Sequence, residues 1–399
     1  MRRLLGAVAL AGIALTFLAV PLAALAVPAV LGSVLFSPLA GRLAGALAAG
    51  GGLGLAALEA LARAGSRLPY GALQFVPGPV AALPWLGVLG VTLWAFGRSN
   101  TSHRAMLRVG WAAGAVGIVT AAPLPRWFSA DDGAGLALHF LSVGQGDATL
   151  IRTPAGRWVL VDAGPADERR DAGRDVVAPF LIRHGVRRLA AFVLSHPHLD
   201  HDGGAPAVLR EFPADVIIDP ARQVVEPHYA EMLDLAVDGG MRWRPGRKGD
   251  SLLVDGVRFD ILHPDTTWSR WGSDLNDDSV VLRLRYGAFE AILAGDIGVH
   301  AESLLAGKVG AAEVLKVGHH GSAGSSGPSW LREIGAQVAV IEVGPNRYGH
   351  PSPDALARLA EAGAEVWRTD RDGTVVVTVS DSSMTVHSRR GVKTFLLRP

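Results

Sequence analysis

The first third of the chain begins with long apolar segments. Residues 4–36 carry no charged side chain. A bilayer core requires only about 20 apolar residues, so this segment is predicted to span a membrane once, with Pro21 and Pro28 bending or ending the helix. Residues 39–61 are rich in glycine and alanine and are interrupted by Arg42. They predict a weaker span or a re-entrant helix.

Two further apolar segments follow, at residues 80–96 and 106–124. A basic loop of the kind that stays cytoplasmic separates them. Its basic side chains are Arg98, His103, Arg104 and Arg108. The pattern therefore predicts a helical transmembrane region of three to four spans and a multi-pass protein of the cell membrane.

A cleavable signal peptide is the alternative for the first segment. Arg2 and Arg3 precede an apolar stretch, and the sequence Ala24-Leu25-Ala26 has the small residues of a cleavage site. The apolar stretch continues past this sequence and more apolar segments follow it, which favours a span.

A charged stretch lies between the second and third apolar segments. Glu59, Arg63 and Arg67 follow one another at intervals of four residues ahead of Pro69. This spacing predicts an interfacial helix, with a solvated connector as the alternative. The N-terminal arginines, this stretch and the basic loop cannot all lie on one side of a simple four-span region. The side of the membrane that the rest of the chain faces therefore stays open.

Beyond residue 130 the pattern changes to short β-rich segments punctuated by glycine, proline and aspartate, alternating with helical stretches. This alternation of strand-like and helical segments is typical of an α/β domain. Strands are predicted at residues 137–143, 148–152, 158–162, 190–195, 258–262, 279–286, 290–294, 313–317 and 338–343, and helices at 176–184 and 353–362. We predict two domains, a transmembrane region over residues 1–130 and an α/β domain over residues 131–399.

The charges divide at the same boundary. Nine of the 38 Lys and Arg residues but only one of the 37 Asp and Glu residues lie in residues 1–130, which leaves 29 basic and 36 acidic residues beyond it. A mildly acidic domain carries no overall basic excess for nucleic acid. The chain has no cysteine, so disulfides and thiolate ligands are excluded, and any metal must be held by His, Asp or Glu.

The densest chemical signal is the sequence Ser195-His196-Pro197-His198-Leu199-Asp200-His201-Asp202-Gly203-Gly204, directly after an apolar strand. Three imidazoles and a carboxylate within six residues are costly to bury unless a metal or hydrogen bonds offset the desolvation. His196 and His198 alternate and are predicted to hold one ion, whereas Asp200 and His201 face a second. A solvated histidine-rich turn is the alternative. The two glycines let the backbone fold back tightly around the ions.

This HxHxDH pattern resembles the metallo-β-lactamase superfamily, whose fold is a four-layer αβ/βα sandwich with a dinuclear metal site at its rim. Further motifs, in the same order, resemble the C-terminal domain of the ComEC family of competence proteins, membrane proteins for uptake of transforming DNA. These motifs are Val143-Gly144-Gln145-Gly146-Asp147, Val161-Asp162-Ala163-Gly164, Leu293-Ala294-Gly295-Asp296, Lys316-Val317-Gly318-His319-His320-Gly321-Ser322 and Asn346-Arg347-Tyr348-Gly349-His350-Pro351. Family members usually carry a longer channel region and an OB-fold domain, for which this chain has no room.

The resemblance implies that Asp296 bridges the two ions and that one or both of His319 and His320 complete the ligand set. Adjacent side chains rarely point the same way, so we expect one of the pair to bind metal and the other to contact substrate, with His320 slightly favoured as the ligand. Asp162 is expected to orient a metal-bound imidazole through its other ring nitrogen. His263, at the end of a predicted strand, is a weaker candidate ligand.

The resemblance also places His350, Asn276 and Ser279 near the metal rim. An imidazole or an amide there suits a general acid or a donor to phosphate oxygens, opposite the nucleophile. The catalytic candidates are thus Asp200, His319, His350, Asn276 and Ser279. Turn capping by side-chain hydrogen bonds is the alternative for His350, Asn276 and Ser279.

Histidine and carboxylate ligands predict two divalent ions, Zn²⁺ or Mn²⁺. Such a site suits phosphodiester hydrolysis. The leading hypothesis is a membrane-tethered nuclease linked to DNA uptake, with single-stranded DNA, the membrane and a separate channel-forming or OB-fold-containing competence protein as partners. The alternatives are a hydrolase of another phosphodiester or ester, such as a lipid head group, and a non-catalytic DNA translocation component.

Overall fold

A computed structural model of the chain describes residues 7–8, 10–37, 40–66, 73–74, 135–222, 224–265 and 274–398. It divides into two compact units, Met1–Asp131 and Asp132–Pro399. The spans predicted at residues 80–96 and 106–124 lie outside the described residues.

In the first unit, two long helices follow a short strand, and a second short strand pairs with the first one antiparallel. The elements are β1 (Ala7–Val8), α1 (Leu10–Phe36), α2 (Gly41–Ser66) and β2 (Leu73–Gln74). Helix α1 continues through Pro21 and Pro28, so neither proline ends it. Helix α2 continues through Glu59, so the predicted span and the first part of the predicted interfacial helix form one helix.

The two helices approach each other closely through glycine. A Cβ atom on Gly51 would come within 2.6 Å of Val30 Cγ2, and one on Gly54 within 2.7 Å of Ala26 Cβ. Both helices are long and apolar enough to cross a membrane, over Ala19–Phe36 and Gly41–Leu61. Small residues at such a contact let two helices pack closely. Close packing matters in a bilayer because the lipid tails are also apolar, so there is no hydrophobic driving force for the helices to associate. These two helices indicate membrane association.

The second unit contains most of the strands. In chain order they are β3 (Ala137–Phe140), β4 (Thr149–Arg152), β5 (Trp158–Val161), β6 (Ala191–Val193), β7 (Val216–Asp219), β8 (Arg242–Pro245), β9 (Ser251–Val254), β10 (Val257–His263), β11 (Val281–Tyr286), β12 (Phe289–Leu293), β13 (Val314–Lys316), β14 (Val338–Ile341), β15 (Glu365–Arg368), β16 (Val375–Val379), β17 (Ser383–Ser388) and β18 (Gly391–Leu396). Nine form a sheet in the order β18-β17-β16-β3-β4-β5-β6-β7-β8, and seven form another in the order β15-β14-β13-β12-β11-β10-β9.

Short helices connect the strands. They are α3 (Ala178–Arg183), which continues from a π-helical turn at Gly173–Val177, α4 (Leu199–Asp202), α5 (Ala205–Glu211), α6 (Pro227–Asp238), α7 (Val299–Leu305), α8 (Pro328–Ile334), α9 (Pro353–Glu361) and α10 (Thr369–Asp372). Single 3₁₀ turns lie at Asn276–Asp278 and Gly318–Gly321.

Three apolar layers hold these elements together. One lies between the two sheets and contains Phe140, Phe259 and Leu284. A second lies between the nine-stranded sheet and helices α3, α5 and α6, and a third between the seven-stranded sheet and helices α7, α8 and α9. The layers therefore run helix, sheet, sheet, helix, which confirms the predicted four-layer α/β fold.

Candidate metal centre

The histidine-rich motif lies on the loop that follows β6. His196 and His198 precede α4, and Asp200 and His201 lie within that single turn of helix. The glycines after it meet backbone directly. A Cβ atom on Gly204 would come within 2.3 Å of the carbonyl oxygen of Ala163, and one on Gly203 within 2.4 Å of the backbone nitrogen of Ala166. Only glycine fits these two close approaches.

Four side chains from both sheets converge at this loop. One nitrogen or oxygen of each of Asp200, His201, Asp296 and His320 lies within 4.8 Å of those of the other three. His201 Nε2 is 3.2 Å from Asp296 Oδ2. His320 Nε2 is 3.2 Å from Asp200 Oδ2 and 3.4 Å from Asp296 Oδ2. We call these four residues the acid–imidazole group.

His196 and His198 form a pair beside this group. Nε2 of His196 is 2.9 Å from Nδ1 of His198, so both nitrogens can face one ion. The rings of His196 and His201 lie 4.2 Å apart between centroids. The structure thus brings the whole predicted HxHxDH set together with Asp296.

The two adjacent histidines diverge. His319 and His320 both have left-handed backbone angles, with φ of 50° and 51°. Their rings are 6.3 Å apart and nearly perpendicular, at 73°. His320 is buried in the acid–imidazole group, whereas His319 is half-buried and lies 5.6 Å from the ring of His350.

In the two imidazoles of the acid–imidazole group, His201 and His320, Nδ1 contacts an oxygen atom on the side away from the centre. His201 Nδ1 is 2.9 Å from Asp162 Oδ2, and the backbone nitrogen of Ser195 donates to Oδ1 of the same carboxylate at 2.7 Å. His320 Nδ1 is 2.8 Å from the carbonyl oxygen of Glu342. With Nδ1 used in this way, Nε2 of each ring is presented to the centre.

Ser279 contacts the centre directly, whereas Asn276 contacts Ser279 through its backbone carbonyl. The Ser279 hydroxyl donates to the Asn276 carbonyl at 2.7 Å, accepts from the backbone nitrogen of Asp296 at 3.1 Å, and lies 3.3 Å from His196 Nδ1. His263 Nε2 lies 2.7 Å from the carbonyl oxygen of Asp277 and is not part of the acid–imidazole group.

Three buried charged residues beneath the centre were not predicted. Lys316 donates to the carbonyl oxygen of Gly295 at 2.9 Å, contacts the Asp147 carboxylate directly, and lies 3.7 Å from Asp296 Oδ1. Glu342 accepts from the backbone nitrogen of Ala148 at 3.0 Å and from the Thr149 hydroxyl at 2.8 Å. Lys316 ends an apolar strand and Glu342 directly follows one, and a charge there is unusual for a buried position. Asp147 lies in the loop before β4 and has no such signal.

The centre is strongly charged. Burial opposes protonation of His320, but the carboxylates of Asp296 and Asp147 outweigh it and raise its pKa to about 10. The pKa of His201 is raised in the same way, with Asp296 the largest contribution against burial. Burial would raise the pKa of Asp296, yet His320 and His201 hold it well below its usual range. The ammonium of Lys316 also lowers the pKa of Asp296, so imidazoles and an ammonium together face the carboxylates of the centre.

Burial and the neighbouring His201 lower the pKa of His196 well below its ordinary value, which leaves a neutral ring suited to metal binding.

The donors present suit divalent metal ions. Nε2 of His201 and Oδ1 of Asp296 are buried without a hydrogen-bond partner, and both belong to the acid–imidazole group. Buried polar atoms normally have a hydrogen-bond partner, so these two atoms indicate a site for a bound ligand. The combination of imidazole nitrogen and carboxylate oxygen is compatible with two first-row divalent ions.

Several known proteins are similar to this chain. The family model described as Metallo-beta-lactamase superfamily matches residues 141–343. ComE operon protein 3 of Bacillus subtilis is 32% identical over 253 residues, which are 60% of this chain and 32% of that protein. Competence protein ComA of Neisseria gonorrhoeae is 33% identical over 241 residues, 59% of this chain and 31% of the relative.

Recombination protein 2 of Haemophilus influenzae is 30% identical over 251 residues, 63% of this chain and 30% of the relative. The aligned part is thus about a third of the length of each of these relatives. These matches confirm the resemblance to the ComEC family. On the family match, the four-layer fold and the convergent His and Asp side chains, the chain belongs to the metallo-beta-lactamase superfamily of metal-dependent hydrolases.

Proposed function

We propose that the protein is a membrane-tethered phosphodiesterase that uses two divalent metal ions to cleave DNA during DNA uptake. The observation that carries the proposal is the acid–imidazole group, whose four donor atoms lie within 4.8 Å of one another. Zn²⁺ or Mn²⁺ bound in such a site polarises a phosphoryl oxygen and makes water a stronger nucleophile at neutral pH.

Each side chain of the centre has a role in this proposal. His196 and His198 would hold one ion, and Asp200, His201 and His320 the other. Asp296 has two oxygens and would bridge both. Asp162 and the Glu342 carbonyl fix the two buried imidazoles through Nδ1, so that Nε2 stays aimed at the ions.

The rim of the centre supplies hydrogen-bond donors. Burial and the neighbouring His319 lower the pKa of His350, which favours a neutral ring. A neutral imidazole can donate to a phosphate oxygen or hand a proton to the departing oxygen. His319, 5.6 Å away between ring centroids, is available for the same oxygens. Ser279 braces His196 and Asp296 from behind, and Asn276 shapes the turn that carries Ser279.

The membrane region and the partners belong to the same proposal. Residues 1–130 would form a transmembrane region of three to four spans that anchors the hydrolase domain, residues 131–399. The matches to competence proteins favour a role in DNA uptake, and single-stranded DNA is the substrate that we propose. A separate channel-forming or OB-fold-containing competence protein is the partner that we propose.

A second candidate is hydrolysis of another phosphodiester or ester, such as a lipid head group. The excess of acidic over basic residues in residues 131–399 favours it, since a net negative domain repels DNA at long range. The dependence of the cleavage rate on salt concentration distinguishes a DNA substrate from a small substrate. Cleavage limited by DNA binding weakens steeply as salt rises, because phosphate contacts release counterions, whereas turnover of a small substrate responds little.

The experiment uses the full chain in detergent micelles with Mn²⁺ or Zn²⁺, single-stranded DNA and a small phosphodiester such as bis(p-nitrophenyl) phosphate. An Asp200→Ala, His201→Ala double variant should lose metal and turnover together. The matched control is Asp381→Ala, His387→Ala, which changes the same residue types at and beside strand β17, and it should keep both. Turnover that is equal in all three proteins, or that survives chelation, would remove the proposal.

A further inference from the structure

The loop between β14 and α9 exposes one aromatic side chain beside the metal centre. The fractional exposure of Tyr348 is 75%, against 45% for Trp243 and 38% for Phe36, the other exposed aromatic side chains in the described part of the chain. An exposed ring of this size has no role in the apolar layers of the fold. Exposed aromatic side chains beside a site are typical of ligand contact.

A series of rings leads from Tyr348 to the centre. Tyr348 stacks on His350, with ring centroids 5.8 Å apart and an angle of 22° between the planes. His350 packs edge-on against His319 at 5.6 Å. His319 is the neighbour in sequence of His320, which belongs to the acid–imidazole group. Tyr348 therefore lies two ring contacts away from the histidine that precedes His320 in sequence, on the rim of the centre. A ligand that extends from the centre along this rim would meet Tyr348.

The loop is fixed by one side chain. The Asn346 side-chain oxygen accepts from the backbone nitrogens of Tyr348 at 3.1 Å and His350 at 3.0 Å. Its nitrogen donates to the carbonyl oxygens of Gly344 at 2.9 Å and His350 at 2.8 Å. Four hydrogen bonds to a single amide hold the backbone of the loop that carries Tyr348, so less entropy of the loop is lost when a ligand stacks on the ring.

The charge of the loop also matters. Arg347 is exposed next to Tyr348, and residues 344–352 contain no acidic side chain. Sites for single-stranded nucleic acid combine cationic groups along the phosphates with aromatic rings on which bases stack. A lipid head group has no flat ring to place on Tyr348, and the bases of a duplex are already stacked on one another.

We propose that Tyr348 is a base-stacking platform that seats the nucleobase next to the phosphodiester held at the metal centre. This inference rests on the proposed function and deepens it, because it makes an unpaired, base-bearing strand the preferred ligand. Stacking on one ring stabilises binding by about 1 to 3 kcal/mol per base, which is about a 5- to 150-fold change in affinity.

The test measures binding apart from cleavage. The full metal-loaded chain in detergent is titrated into two fluorescent phosphorothioate strands that resist hydrolysis, an oligothymidylate and an abasic strand of equal length. The wild type should bind the base-bearing strand about 5- to 150-fold more tightly than the abasic strand. Tyr348→Ala and Tyr348→Leu should lose most of this preference, and Tyr348→Phe should keep it. The affinity for the abasic strand should be the same in all four proteins.

Three results would overturn the inference. Tyr348→Ala could retain the preference of the wild type, the wild type could bind both strands equally, or it could bind neither. Cleavage of ordinary single-stranded DNA is measured in parallel. A wild type that prefers the base-bearing strand but cleaves no DNA would contradict the nuclease proposal and leave the stacking platform supported.

Discussion

His201 and Asp162 are joined by a 2.9 Å contact between the imidazole Nδ1 and the carboxylate Oδ2, beneath the candidate metal centre. The Ser195 hydroxyl donates to the same oxygen at 2.7 Å, so the carboxylate is itself held in place. A carboxylate at Nδ1 fixes the ring orientation and makes Nε2 a stronger metal ligand. Asp162 is therefore placed to orient His201 towards a metal ion.

Replacing Asp162 by Asn should weaken metal binding without removing a ligand. Loss of such a partner typically lowers metal affinity by about 10- to 100-fold. Titration of Zn²⁺ against a competing chelator measures the effect. Asp219→Asn is the matched control, because Asp219 is equally buried and hydrogen-bonded to Tyr229 and Trp243, outside the acid–imidazole group. Equal zinc affinities in the two variants would contradict the role of Asp162.

The divergence of His319 and His320 makes a second prediction. His320→Ala should release one of two metal ions, since it removes a member of the acid–imidazole group. His319→Ala should keep both ions and lower turnover by about 100-fold, the usual range for a proton donor. Elemental analysis of the two purified variants, beside their turnover, separates the roles. Loss of metal from His319→Ala with full retention in His320→Ala would reverse the assignment.

The sequence predicted those parts of the fold that have a local cause. Strands β5, β6, β12, β13 and β14 are short, apolar and buried, and the prediction placed each of them. The strands that were not predicted are β7, β8, β9, β15, β16, β17 and β18. For β17 and β18 the reason is that much of their surface is exposed at one end of the nine-stranded sheet, so the apolar signal is weak.

The residues of the metal centre likewise divide into those with a local signal in the sequence and those without one. The HxHxDH residues are neighbours in sequence, so their chemistry could be inferred directly, and Asp296 and His320 came from the family resemblance. Asp147 and Lys316 are separated by 169 positions and meet only because the strands that lead to them belong to two sheets packed face to face. No spacing rule connects such a pair, since its contact depends on how the sheets pack.

That buried pair gives a third prediction. Lys316 offsets the charge of Asp147 and Asp296, and those carboxylates outweigh burial and raise its pKa. Removing one partner of a buried ion pair leaves an uncompensated charge, so Lys316→Met should lower the free energy of unfolding by about 3 to 5 kcal/mol. Urea denaturation of the chelator-treated full chain in detergent measures this change.

The double variant Asp147→Asn, Lys316→Met is the control for that experiment. It removes both charges, so it should be less destabilised than Lys316→Met alone, with a coupling energy that the double-mutant cycle reports. Additive effects of the two substitutions would show that the ammonium and the carboxylate do not stabilise each other.

His139 gives a fourth prediction, on the pH dependence of stability. It is buried among Trp158, Phe180 and His184, and its Nε2 has no hydrogen-bond partner. Burial, together with the positive charges of His184 and Arg152, lowers its pKa from 6.5 to about 3. The folded state therefore keeps the ring neutral in a range where the unfolded state binds a proton.

Stability should thus fall as the pH drops from 6.5 towards 3, because only the unfolded chain takes up this proton. The contribution of His139 is on the order of 4 kcal/mol over the whole range. His139→Leu removes the proton site and fills similar volume, so its unfolding free energy should fall less steeply with acid than that of the wild type. His387→Leu, at a half-exposed position on β17, should follow the wild type. Parallel pH profiles for wild type and His139→Leu would mean that another buried group controls the acid sensitivity.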